Sequence, residues 1–248
     1  MSTRLRSLAQ RPEPPPAPVE EEVCELCSEP VPPAHRHLLD LESRRLLCAC
    51  RACSILFDSR AAGGGHFRLV PDGVRLVREF ELDDALWNGL RIPVDMAFFF
   101  RSSAAGRVVA FYPSPVGATE SLLELDAWED IVTRNPILES VEPDVEALLV
   151  NRTKGASECW LVPVDRCYAL VGLIRMHWRG FGGGEEVWSA VGEFFDGLRG
   201  DAKLVRASGI EFPRVDRSVQ TGAGAEPARP DSGAASGAAA KEGERWQT

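Results

Sequence analysis

The stretch CELCSEPVPPAHRHLLDLESRRLLCACRAC, residues 24–53, carries five of the chain's seven cysteines. Cys24, Cys27, Cys50 and Cys53 make two C-x-x-C pairs with twenty-two residues between them. Two intervening residues let one tight turn present both of its sulfurs to a single ion, and two such turns complete a tetrahedral tetrathiolate site. The segment HLLDLESRRLLCAC reads as two short apolar strands around a polar turn at Glu42 and Ser43, with the second strand delivering Cys50 to the metal. The expectation is a small zinc-ribbon-like or treble-clef-like four-cysteine module over residues 23–60. A unit of this size draws much of its folding free energy from the metal.

Three further ligand candidates lie in the same stretch. Cys48 sits two residues before Cys50 and shares its strand face by the period of two. It reads first as a small packed residue, the usual fate of a free cysteine, and second as an alternate ligand or redox thiol. His35 and His37 are the other possible alternates, since either imidazole can complete or exchange into a zinc shell. Zinc is the expected metal and iron the alternative, because spacing alone does not separate a zinc site from a rubredoxin-type iron centre. The turns CELCSE and CRACSI lack the glycine and proline common in rubredoxin knuckles, which favours zinc.

Compartment and partners follow from composition. The polar, proline-rich start MSTRLRSLAQRPEPPPAP has no apolar core of a signal peptide, and no run of about 18 apolar residues is present. The expected location is cytoplasmic, with no membrane span, where clustered cysteines serve metals or catalysis more than disulfides. The net charge is -9, and within residues 24–60 five arginines are balanced by five carboxylates. Phosphate binding calls for a basic stripe, so a protein partner is expected and nucleic acid is not.

Outside the cysteine module, residues 1–22 and 213–248 are rich in Pro, Gly, Ala, Ser and acids, and read as disordered tails. After AAGGG, residues 66–200 read as a mixed α+β domain, so the fold class is α+β. HFRLVPDGVRLVREF suggests a hairpin turning at Pro71–Gly73, and VDMAFFFRSSAAGRVVAFYPS and VEALLVNRTKGASECWLVPV each suggest a strand pair. DDALWNGL, DAWEDIVTRN, RCYALVGLIRMHW and GEEVWSAVGEFFDGLR suggest helices, the third capped by Asp165.

No catalytic or cofactor-binding residue is assigned in this domain. The glycine run in GFGGGEEVW follows a helix, and Glu185 and Glu186 stand where a phosphate would sit. Ser102 and Ser103 lack a nucleophile-elbow setting, and His66 and His177 have no visible catalytic partner. Cys159 and Cys167 read as packed thiols.

The segments CELCSEPVPPAHRHLLDLESRRLLCACRACSILFD, IPVDMAFFFRSSAAGRVVAFYPSPVGATES, EPDVEALLVNR and CYALVGLIRMHWRGFGGGEEVW together resemble an uncharacterised actinobacterial family, domain of unknown function 5947, often encoded beside nickel-iron hydrogenase genes. The resemblance covers residues 24 to about 200. It implies an accessory role in hydrogenase maturation or assembly, with a hydrogenase subunit or maturation factor as the protein partner. It carries no established activity. The competing readings are a rubredoxin-like iron protein in electron transfer or oxygen protection, and an enzyme with an unrecognised site in the α+β domain.

Overall fold

The structure is a computed structural model that describes residues 22–59, 61–121, 127–180 and 182–209. Apart from Glu22, the tails expected at 1–22 and 213–248 lie outside the described residues. The remainder is mixed α+β, built on two sheets.

The smaller sheet has three strands in the order β2-β1-β3. Its hairpin pairs β1 (Arg36–Asp40) with β2 (Arg45–Ala49) in antiparallel register, His37 opposite Cys48 and Leu38 opposite Leu47. Asp40 makes the turn expected at Glu42 and Ser43, accepting hydrogen bonds from the N–H groups of both and from the Ser43 hydroxyl. A short helix α1 (Arg51–Leu56) starts directly after β2. The order is therefore knuckle, hairpin, helix, the treble-clef-like form of the expectation.

β3 (Phe67–Leu69) joins this sheet on the other side of β1, and β4 (Arg75–Arg78) joins the larger one. The hairpin suggested by Pro71–Gly73 does not form, and that segment instead carries the chain between sheets. The reason lies in β4, where Leu76 and Val77 point to opposite faces and both are buried, so the strand needs cover on two sides. Arg36 ties the crossing segment to β1, donating to the Val70 carbonyl at 2.8 Å and pairing with Asp72 at 2.8 Å.

The larger sheet has seven strands in the order β10-β4-β9-β8-β5-β6-β7. It comprises β5 (Met96–Ser102), β6 (Arg107–Ser114), β7 (Gly117–Ser121), β8 (Glu146–Asn151), β9 (Glu158–Pro163) and β10 (Lys203–Arg206) besides β4. All pairings are antiparallel except β10 with β4. The central strands are apolar on both faces. Alternation sends Ala97, Phe99, Leu148, Val150 and Leu161 to one core, and Met96, Phe98, Leu149, Trp160 and Val162 to the other.

The first core is covered by α2 (Asp84–Gly89) and α3 (Trp128–Arg134), the second by α4 (Val164–His177) and α5 (Gly184–Asp201). On α5 the buried residues Val187, Val191, Phe195 and Leu198 form the apolar stripe read from the sequence. α4 begins two residues earlier than expected, with Pro163 at the N-cap position and Asp165 inside the first turn. Asp165 is thus free of the capping role and turned to another use. The two sheets meet through a small apolar cluster of Leu39, Val70, Val145 and Val164.

Candidate metal centre

Cys24, Cys27, Cys50 and Cys53 come together, and their four sulfurs all lie within 4.8 Å of one another. The Cys27 and Cys50 Sγ atoms are 3.6 Å apart. Sulfurs bound at about 2.3 Å to one tetrahedral ion stand about 3.8 Å apart, so the donor set already has the size of a tetrathiolate shell. This cluster can bind a metal ion.

Local structure explains the convergence. In the first pair the Ser28 N–H donates to the Cys24 carbonyl and the Cys24 N–H to the Glu29 carbonyl, each at 2.8 Å, closing a knuckle that is clamped by a Val23–Pro30 bridge. Ser28 takes the left-handed conformation, φ 63, that a glycine supplies in such turns. The missing glycine therefore does not alter this knuckle. In the second pair Cys50 is the N-cap of α1, its sulfur accepting from the Cys53 N–H at 3.5 Å, and Cys53 follows within the first helical turn.

Glu25, a residue not singled out in the sequence, locks the knuckle to the hairpin. Its N–H donates to the Cys48 carbonyl at 2.9 Å, and its carboxylate accepts from the Cys48 N–H at 2.8 Å and from Arg45 at 3.2 Å. A glutamate between two cysteines carries no signal of its own. Only the register of β2 against the knuckle reveals the clamp.

The thiols are electrostatically unequal. Burial acts to raise the Cys24 thiol, but backbone N–H groups around it and the Cys27 side chain outweigh that effect, and its pKa is lowered to about 6. Burial and the neighbouring Cys27, Cys24 and Cys50 thiols push Cys53 up to about 12. Cys27 is also raised: the Glu29 backbone favours its thiolate, but crowding by Cys24 and Cys50 prevails. Cys27 and Cys53, crowded by neighbouring sulfurs, therefore resist ionising, and a divalent ion removes that resistance.

Cys48, His35 and His37 form a second group, with one donor atom from each within 4.8 Å of the others. Elsewhere, the serines and remaining cysteines weighed in the sequence hold turns or fill cores. Ser102 accepts from the Ala105 N–H in the β5–β6 turn, and Ser103 donates its N–H to Asp144. Cys159 and Cys167 are buried in the two cores, and burial pushes Cys159 up to about 12 and Cys167 well above the usual thiol range. The glycine run is tied down by the Trp178 and Trp188 indoles, which donate to the Gly180 and Gly182 carbonyls. No helix among the described residues is long and apolar enough to cross a membrane.

Residues 23–202 match the model of a family described as "Family of unknown function (DUF5947)", and the chain belongs to that family. No curated protein and no solved structure is similar to it.

Proposed function

We propose that this member of the family is a zinc-tetrathiolate protein that works by docking to another protein, as an accessory factor in nickel-iron hydrogenase maturation or assembly. The observation that carries the reading is the convergence of Cys24, Cys27, Cys50 and Cys53 on a volume the size of one tetrahedral ion. These four residues are the proposed ligands. Zinc is preferred to iron because the second pair sits at the start of a helix and not in a second free turn, and because a redox-silent ion suits a structural role.

A docking role is supported by what surrounds the ligands. Val23 precedes Cys24, and Ile55 and Leu56 follow Cys53 on α1, and these three apolar side chains are exposed, Ile55 at 66% and Leu56 at 62%. Apolar residues displayed on a rigid metal-held element are suited to a protein surface. Residues 23–60 are the proposed docking module and residues 66–200 its support. The hydrogenase assignment rests on the family's gene neighbourhood, which the sequence resemblance brings with it.

The test has two arms. The purified protein should be colourless and keep about one zinc per chain against a moderate chelator, whereas a ferric tetrathiolate would be red. Deleting the gene should lower hydrogenase activity and large-subunit maturation, and a chain carrying Ile55→Asp and Leu56→Asp should fail to restore them while keeping its zinc. A red iron protein would overturn the zinc assignment and favour electron transfer. Unaltered hydrogenase processing in the deletion strain would overturn the accessory role.

A further inference from the structure

We infer that His35, His37 and Cys48 form a second metal site, separate from the tetrathiolate cluster, that takes a divalent first-row ion of zinc-like softness and leaves one position open to a neighbouring cleft.

The strand geometry builds the group. His37 and Cys48 are direct partners across the β1–β2 hairpin, and His35 lies two residues before His37, just ahead of β1. The two imidazole rings stand 4.8 Å apart between centroids. One donor atom from each residue falls within 4.8 Å of the others. Donors bound to one tetrahedral ion at about 2.0–2.3 Å lie roughly 3.3–3.6 Å apart, a closure within reach of small side-chain rotations.

Hydrogen bonding sets the imidazoles in the state a metal requires. His37 Nδ1–H donates to Asp165 Oδ2 at 2.9 Å, and His35 Nδ1–H donates to the Pro32 carbonyl at 2.9 Å. With Nδ1 of both rings engaged as donor, the lone pair of each lies on Nε2. The His35 side chain is only 6% exposed, and its Nε2 is buried with no hydrogen-bond partner among the described residues. A buried, unpartnered nitrogen on a ring set against a second imidazole is costly unless something fills the gap. A cation does so.

Asp165 completes the arrangement from the other sheet's side. It reaches His37 from the first turn of α4, one carboxylate oxygen on the imidazole and the other buried without a partner among the described residues. A carboxylate behind a histidine raises the basicity of the ring and fixes its orientation, the outer support usual for metal-bound imidazole. Asp165 is therefore a positioning residue. Three protein donors leave a tetrahedral ion one free position. His35, His37 and Asp165 form part of the wall of a cleft of about 570 Å³, which also includes Arg36 and Arg166, so an exogenous ligand has access.

The donor set narrows the ion. Two imidazoles and one thiolate suit zinc, cobalt, nickel or copper far better than magnesium or calcium, which take oxygen ligands. The first cluster, all sulfur and with its four positions filled by protein, is a closed site. This second one should exchange its ion readily.

The experiment uses the full-length protein loaded with 113Cd and read by cadmium NMR. Two resonances are expected, one strongly deshielded as for four thiolates and one well upfield as for two nitrogens and one sulfur. A single resonance, at saturating cadmium, overturns the second site. Equilibrium dialysis against zinc should give two ions per chain, of which His35→Ala with His37→Ala removes only the exchangeable one. Retention of both ions by that double variant overturns the assignment. Should the variant lose both, the wild-type cadmium spectrum decides alone. Asp165→Asn should weaken the exchangeable ion by about 10–100-fold and leave the tight one unchanged; equal affinity in this variant would remove Asp165 from the site. Failure of this inference leaves the tetrathiolate reading intact, because the deshielded resonance reports that cluster separately.

Discussion

Replacing Cys50 with serine separates ligation from the rest of what this residue does. Cys50 is both a proposed ligand and the N-cap of α1, and its carbonyl accepts from the Ser54 N–H at 2.9 Å. Serine is a strong N-cap residue, so its hydroxyl can take over the bond from the Cys53 N–H, and the backbone bond is untouched. What is lost is one thiolate of four. A structural zinc site supplies about 10–16 kcal/mol of binding free energy at neutral pH. An equal share for each ligand gives a loss of about 3 kcal/mol, roughly a hundredfold weaker binding. Competition against a chromophoric chelator measures that directly, and circular dichroism follows unfolding of the hairpin as the ion leaves. Cys48→Ser, two residues away on the same strand, is the control and should leave the tight ion in place. Wild-type affinity for the tight ion in Cys50→Ser, or an equal loss in Cys48→Ser, would refute this division of roles.

Two further outcomes follow from the geometry. Because Cys27 and Cys53 are held protonated at neutral pH while Cys24 is already largely ionised, metal uptake at pH 7 should release at least two protons, measurable by calorimetry in buffers of different ionisation enthalpy. Affinity should then fall as the pH is lowered from 8 to 6, and a flat profile would contradict the assignment. In the α+β part, Asn135 is fully buried, accepts from the Glu81 N–H at 2.8 Å and donates to the Glu81 and Ile131 carbonyls at 3.0 and 2.9 Å. Asn135→Ala strands these groups and should cost about 3 kcal/mol in urea unfolding; a loss below about 1 kcal/mol would show that water replaces the side chain.

The chain spells out its local features plainly. The two C-x-x-C pairs and the polar turn between apolar runs announce the cluster and the β1–β2 hairpin, because turn chemistry and ligand spacing act over a few residues. The strand pairs β5–β6 and β8–β9 and the stripe on α5 are legible for the same reason, since alternation and helical period are properties of contiguous sequence. Partner choice is another matter. Pro71–Gly73 looks like a hairpin turn, yet β3 and β4 part company because each is better covered elsewhere, and β10 lies parallel to β4 with no crossover pattern to foretell it. Asp165 behaves in the same way: its sequence context suggests a helix cap, and only the packing of α4 against the hairpin brings it to a histidine 128 residues earlier. The four-cysteine cluster was written in spacing, whereas the grouping of His35, His37 and Cys48 apart from it depended on which residues the closed hairpin sets side by side. Burial on two faces and contacts between distant elements arise only when the sheets assemble, and no short stretch of sequence contains that information.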